Sequence, residues 1–260
     1  MKAIILGAGQ GKRLLPMTAE VPKALLEVGG RTLLGWQVRE LVACGVRDVV
    51  VVSGFQAPKI EAELAVLAER HPTCTFRAVH NPFYTVADNL ASCWMVRHEM
   101  DSEFLLLNGD TLFEASVLRA LLGSPDAPIT LAVDEKAHYD EDDMKISRQG
   151  TRLLEIGKTL PSDIVDGESI GMLYFRGEGP ARFVDTLEIA MQDTAALRQW
   201  YLSTIGEMAR HYDVRTQLIA GFKWCEVDYP LDLERARDMI ATVAEGETQA
   251  AKTAEGRYGS

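Results

Sequence analysis

Along the first hundred residues, short apolar runs alternate with longer stretches in which apolar residues recur at helical spacing. The runs are Lys2–Leu6, Asp48–Ser53, Thr75–Val79 and Phe104–Leu107, and between them Leu33–Ala43, Ile60–Glu69 and Asn89–His98 carry the helical period. This alternation predicts parallel strands joined by right-handed helical crossovers, with helices on both faces of the sheet. Val49, Val50, Val51 and Val52 form an unbroken β-branched run, the mark of a strand buried on both faces, and place that strand at the centre of the sheet.

From Ile129 the texture changes. The pieces ITLAVDE, MKISRQG, RLLEIGK and SIGMLYF are strand-like and separated by polar turns, and helical period resumes at Ala181–Met191 and Ala195–Ala209. Leu218–Val227 reads as one returning strand, and Leu231–Val243 as a closing helix with Pro230 at its start. The predicted fold class is therefore α/β: a Rossmann-like, mostly parallel central sheet with helices on both faces and a mixed antiparallel extension. Residues 1–243 are expected to form one domain, and 244–260, which lack apolar periodicity, a flexible tail.

Charge narrows the partners. With 27 Lys+Arg against 38 Asp+Glu the net charge is -11, which disfavours phosphate backbones and anionic lipid and leaves a small ligand in a local basic pocket. Nucleic-acid and membrane partners are not expected. The four cysteines, Cys44, Cys74, Cys93 and Cys225, show neither a CxxC pair nor zinc spacing, and no apolar stretch approaches the ~18 residues of a membrane span. A cytoplasmic location is the expectation.

The chemistry begins where the first strand ends, in Leu6-Gly7-Ala8-Gly9-Gln10-Gly11-Lys12-Arg13-Leu14. Three glycines let backbone N–H groups approach an anion, and two cations follow at once. The loop fails the Walker template, which needs glycine at Leu6, and the dinucleotide fingerprint, which needs glycine at Lys12. Alone it would read as a strand-to-helix turn. Pro16 and the run Pro22-Lys23-Ala24-Leu25 change that, because they add a further cation across a segment that two prolines keep from being one helix. Asp110, in Asn108-Gly109-Asp110, stands at the carboxyl end of a buried strand, where ligands bind in open α/β sheets, although Asn-Gly-Asp after a strand is as often a turn as a site. Asp228 also ends a strand-like run and precedes a helix.

The loop and the PKAL run resemble the start of the nucleotidylyltransferases that activate phosphorylated sugars and alcohols by transferring a nucleoside monophosphate from an NTP. That family's pattern is LxAGxGxRL followed by PKxL, and the likeness extends over about residues 1–240. One departure is Gly7, where the family usually has alanine. The resemblance implies a nucleotide-diphospho-sugar transferase-like fold, with residues 1–243 as its catalytic domain. It also implies that Leu6, Gly7, Ala8, Gly9, Gly11 and Arg13 hold the triphosphate, that Lys23 neutralises charge at the α-phosphate, and that Asp110 and Asp228 bind Mg²⁺. Two carboxylates suit that ion, which keeps several waters and is completed by substrate phosphates.

The segment Asn81–Ser92 lacks the sugar-nucleotide members' Gly-Thr/Leu-Ala and looks more like the cytidylyltransferase branch, which acts on choline phosphate, aminoethylphosphonate or polyol phosphates. CTP is the favoured NTP, with a small phosphorylated or phosphonylated acceptor as its partner. A sugar-1-phosphate nucleotidylyltransferase using UTP, dTTP or GTP is the alternative, and a non-catalytic nucleotide-sensing subunit is the alternative of another class. Asp88 and Asn89 are candidates to read the base or the acceptor, although Asp88 reads equally as a helix N-cap. Lys158, after Glu155-Ile156-Gly157, resembles the family's acceptor-phosphate lysine, and Lys145 and Glu168 are further acceptor candidates. Trp94, Trp200, Tyr201 and Trp224 are read as core first and as a cation cage second. The acidic run Asp140–Asp143 is read as a solvated loop, with a metal role as the alternative. A monomer or simple homodimer is expected.

Overall fold

The computed structural model describes the backbone of residues 1–257 and the side chains of residues 1–243. Strand β1 (Lys2–Leu6) is followed by the short pair β2 (Glu27–Val28) and β3 (Arg31–Thr32), then α1 (Leu33–Ala43), β4 (Asp48–Ser53), α2 (Ala57–Arg70), β5 (Thr75–His80) and α3 (Asn89–Val96). Next come β6 (Phe104–Asn108), β7 (Thr111–Phe113), α4 (Ala115–Leu122), β8 (Ile129–Asp134), β9 (Lys145–Gln149), β10 (Arg152–Gly157) and β11 (Gly167–Phe175). The chain closes with α5 (Gly179–Ala190), α6 (Tyr201–Ala209), β12 (Val214–Leu218), β13 (Trp224–Glu226) and α7 (Pro230–Arg257).

Nine strands form one sheet in the order β5-β4-β1-β6-β11-β8-β12-β10-β9. Strands β5, β4, β1 and β6 are parallel, as the alternating pattern predicts. Beyond β6 the sheet is mixed. β11 runs antiparallel to both β6 and β8, β12 is parallel to β8, and β10 and β9 return antiparallel. The expectation of a mostly parallel sheet is thus corrected: parallel pairing is confined to the first four strands and to β8–β12. The reason is β11, a nine-residue strand buried throughout, which inserts against β6 in the reverse direction.

Successive residues of β1 and β4 serve opposite faces. Ile4, Val50 and Val52 pack with α3, α5 and α6, whereas Ala3, Ile5, Val49 and Val51 pack with α1, α2 and α4. This two-sided burial is what the valine run encodes, although β4 lies next to the edge strand β5 rather than at the middle. Helix α7 covers a smaller third cluster through Leu233, Ala236 and Ile240.

Three other expectations change. The single strand predicted over Leu218–Val227 is two: β12 ends at Leu218, a turn at Gly221 with φ +87° follows, and β13 leaves the main sheet to pair with β7. The helix predicted over Ala195–Ala209 is a 3-10 turn, Thr194–Arg198, followed by α6. The closing helix does not stop at Val243 but continues in backbone to Arg257, and residues 258–260 lie outside the described residues.

The parallel register sets Leu6 beside Asn108, so the glycine loop and the Asn108–Asp110 turn leave the sheet at the same end. Gly109 N–H donates to the Leu6 carbonyl at 3.0 Å, and a Cβ at Gly109 would lie 2.6 Å from that oxygen. Because the obstacle is backbone, Gly109→Ala must push the two segments apart. We expect a loss of about 1–3 kcal/mol, read as a lower urea midpoint at unchanged slope; an unchanged midpoint would show that the turn yields freely.

Candidate active site

The sheet's carboxyl end opens into a cavity of about 470 Å³. One wall is the loop from Gly9 to Arg13, the floor carries Asn108, Asp110, Glu226 and Asp228, and the far side carries Asp88, Asn89, Lys158, Ser169 and Trp200. Leu6, Gly7 and Ala8, expected on the triphosphate, are not among its lining. The Leu6 carbonyl accepts from Gly109, the Gly7 N–H donates to the Val52 carbonyl at 3.0 Å, and Ala8 is buried. These residues anchor the loop to the sheet, and the part that faces the cavity starts at Gly9.

Local chemistry explains the loop's shape. Gly11 has φ +75°, and a Cβ there would lie 2.9 Å from the Cβ of Lys23. Only glycine allows both the backbone conformation and the passage of the lysine stem. Thr18 Oγ1 donates to the Gly11 carbonyl at 2.8 Å, tying the segment back on itself.

Lys23 is the centre of the floor. Its Nζ donates to Asp110 Oδ2 at 2.7 Å and also to Asp228 Oδ1, with only 12% of its side chain exposed. Burial alone would lower the lysine's pKa; the Asp110 and Asp228 carboxylates outweigh it and hold the ammonium above its ordinary value. Two elements deliver those carboxylates. Buried Gln37 on α1 donates to the carbonyls of Asn108 and Thr111 at 2.7 and 2.8 Å, fixing the turn that presents Asp110. The β13–β7 pair sets Glu226 opposite Thr111, and Val227 N–H donates to the Asp110 carbonyl at 3.1 Å, bringing Asp228 alongside.

The donor set fits Mg²⁺. Asp110 Oδ1 is buried without a hydrogen-bond partner, while its other oxygen and Asp228 already share one cation, the Lys23 ammonium. Among the described residues no group of three or more His, Cys, Asp or Glu is arranged to hold a metal alone. Two carboxylates would need substrate phosphate and water to complete the shell, as Mg²⁺ tolerates.

Arg13 reaches across the cavity mouth. Its guanidinium donates to Asp142 Oδ2 at 3.0 Å and to the Tyr229 hydroxyl at 3.1 Å, lies over the Tyr229 ring, and approaches Asp228 at 3.4 Å. Lys158 lies 4.5 Å over the Trp200 ring and 3.4 Å from Asp142 Oδ1. Asp88 makes no side-chain cap bond on α3, so the capping alternative is not realised and the residue lines the cavity instead. Asn89 lines it too, but its side-chain oxygen accepts from the Tyr201 N–H at 2.9 Å, which fixes the Trp200–Tyr201 corner.

Two acceptor candidates are placed elsewhere. Lys145 is buried and its Nζ is spent on the carbonyls of Asp140 and Lys158, so it supports the turn after β10 that carries Lys158 rather than facing the cavity. Glu168 pairs with Lys136 at 3.0 Å outside the cavity, and burial pushes its carboxyl up to about 7 despite that partner. Of the four aromatics, only Trp200 lines the cavity: Tyr201 is core, Trp94 pairs with Glu188, and Trp224 donates to Asp134.

Sequence reasoning missed three contributors. Glu226 lies two residues before Asp228 on extended chain, so both side chains face one way; burial and the charges of Asp110 and Asp228 push its carboxyl up to about 8. That spacing was the available signal. Tyr229 carried no signal, and Asp142 stood out only as part of the acidic run Asp140–Asp143, because only the fold brings either of them to Arg13.

The family model of the MobA-like NTP transferase domain matches residues 3–201. The chain is 28% identical over 245 residues to the bifunctional IPC transferase and DIPP synthase of Aquifex aeolicus, covering 93% of this chain and 52% of that one. To the choline-phosphate cytidylyltransferase of Streptococcus pneumoniae it is 32% identical over 114 residues, 44% of this chain and 47% of that one. It therefore spans about half the length of these curated relatives. In fold it is similar to the inositol-1-phosphate CTP transferase from T. maritima, with a TM-score of 0.76 at 22% identity over 94% of this chain and 96% of that one. The family match spans the strand that ends in the glycine loop, the Lys23 segment and the Asp110 turn, and on that ground the chain belongs to the MobA-like NTP transferase family.

Proposed function

We propose that the protein is a Mg²⁺-dependent cytidylyltransferase that joins CMP from CTP to a small phosphorylated or phosphonylated alcohol or amine and releases pyrophosphate. The observation that carries this reading is the Lys23 ammonium seated between Asp110 and Asp228, below the glycine loop and Arg13. Such a floor concentrates charge where an α-phosphate would react. Support for cytidine and for a non-sugar acceptor comes from the relatives named above, whose printed activities include choline-phosphate cytidylyl transfer and inositol-1-phosphate CTP transfer.

In this reading the groups present support an in-line displacement. An acceptor phosphate or phosphonate oxygen attacks the α-phosphorus in line, the bond to the β-phosphate bridging oxygen breaks, and pyrophosphate leaves with that electron pair. The acceptor is already ionised near neutral pH, so no strong base is required and catalysis rests on positioning and charge. The backbone of Gly9–Gly11 and the Arg13 guanidinium receive the β- and γ-phosphates. Lys23 neutralises the α-phosphate, and Lys158 orients the acceptor phosphate from the opposite wall. Asp110 and Asp228 would hold Mg²⁺, which when bound supplies further charge neutralisation. Asp88, with its carboxylate uncommitted to the helix cap, is available to the base or to an acceptor amine.

Asp110→Asn and Asp228→Asn should each lower turnover by at least about 100-fold while the far-UV circular dichroism stays native; near-normal turnover in either overturns the assignment. Lys158→Gln should raise the acceptor KM about tenfold and leave that of the NTP within about twofold. Pyrophosphate release should require CTP among the four NTPs when choline phosphate, aminoethylphosphonate, inositol phosphate and hexose 1-phosphates are offered as acceptors. Release with UTP, dTTP or GTP and a hexose 1-phosphate would replace this reading by the sugar-nucleotide one, and nucleotide binding without release in any combination would favour a sensor.

A further inference from the structure

The two cations at the cavity mouth are already bridged by an anion of the chain itself. Asp142 Oδ2 accepts from Arg13 at 3.0 Å and from the Tyr229 hydroxyl at 3.0 Å, and its Oδ1 lies 3.4 Å from the Lys158 ammonium. One carboxylate thus spans the loop wall and the acceptor wall, lining the cavity between them. We propose that Asp142 is an intramolecular competitor for substrate phosphate, occupying the charges of Arg13 and Lys158 until a phosphate displaces it. This rests on the proposed function, in which those cations face phosphates.

The segment around Asp142 is constructed for such an exchange. Its base is pinned: Lys136 pairs with Asp143 at 2.7 Å and with Glu168 at 3.0 Å, and the buried Lys145 ammonium holds the Asp140 and Lys158 carbonyls. Asp142 itself is 53% exposed, and among the described residues its side chain is held by the Tyr229 hydroxyl and by Arg13 and Lys158, the two cations a phosphate would claim. Hydration compensates an exposed carboxylate as it leaves, so its release is inexpensive. A phosphate dianion brings twice the charge and three terminal oxygens to the same donors, whereas a monoanion only matches what Asp142 already supplies. The exchange therefore favours polyanionic phosphates over carboxylates and other singly charged competitors. It also explains why an acidic loop stands over a cavity whose task is to receive anions.

Titration calorimetry of inorganic pyrophosphate into the full chain, in buffer containing magnesium ion, tests this. Asp142→Asn should tighten pyrophosphate binding about 3- to 10-fold relative to the unaltered protein. Glu141→Gln removes the same charge one residue away, from a side chain with no ion pair to Arg13 or Lys158 among the described residues, and should change the affinity by less than about twofold. An Asp142→Asn affinity that is unchanged or weaker overturns the proposal, as does an equal gain in Glu141→Gln, which would reduce the effect to net charge. If pyrophosphate binds normally but the variants do not differ, this inference alone fails. If neither the protein nor its variants bind pyrophosphate or CTP, the proposed function fails with it.

Discussion

The Lys23 ammonium lies between two carboxylates with little of its side chain open to water, and three parts of the chain meet on it. Its stem crosses Gly11 where no other residue would fit, Asp110 reaches it from the end of β6, and Asp228 reaches it from the strand before α7. Taking an ammonium and two carboxylates out of water is costly, and the arrangement persists because each charge meets its opposite at hydrogen-bond distance. Removing one member of the set leaves the others without a counter-charge, at a cost moderated by the water that reaches the quarter-exposed carboxylates. The floor of the cavity is therefore ordered as well as charged, and its geometry is set before any ligand arrives.

That floor depends on the sheet's register. Pairing Leu6 with Asn108 sends the glycine loop and the Asp110 turn out at one end, and buried Gln37 holds the turn by its carbonyls from the helix behind. The reversed strand β11 closes the other side of β6, and Ser169 near its start joins the cavity wall. The small β13–β7 pair is what adds the second aspartate. Asp110 is thus placed by the Gly109–Leu6 backbone bond together with the Gln37 amide, and Asp228 by the β13–β7 ladder and the Val227–Asp110 backbone bond.

Charge is distributed with the same economy. The chain carries a net charge of -11, yet Arg13, Lys23 and Lys158 gather around one cavity, each already engaged by carboxylates. The depth of the pairing separates their roles. Lys23 is itself largely buried and bonded by two carboxylates that are about a quarter exposed, whereas Arg13 and Lys158 share the more exposed Asp142, whose hold is the looser one.

How much of this was legible depended on how far each signal reaches along the chain. The valine run, the glycine loop, the PKAL segment and the strand-terminal Asp110 are local patterns, and each states its element because the period or the turn chemistry is complete within a few residues. Asp228 was legible as a candidate from its place after a strand-like run. Its proximity to Lys23 was not, because that proximity depends on β13 leaving the sheet to pair with β7. Lys145 and Glu168 look as available as Lys158 in sequence, and only packing shows that their charges are spent on carbonyls and on Lys136. Asp142 read as one more solvated acid, and its seat between Arg13 and Lys158 is a contact across elements. By itself, then, the sequence determined the alternating strands and helices, the glycine loop at the end of the first strand and the family, all of which local spacing encodes. The tertiary structure alone decided which charges share the cavity, because that follows from strand direction and register, which no window of sequence contains.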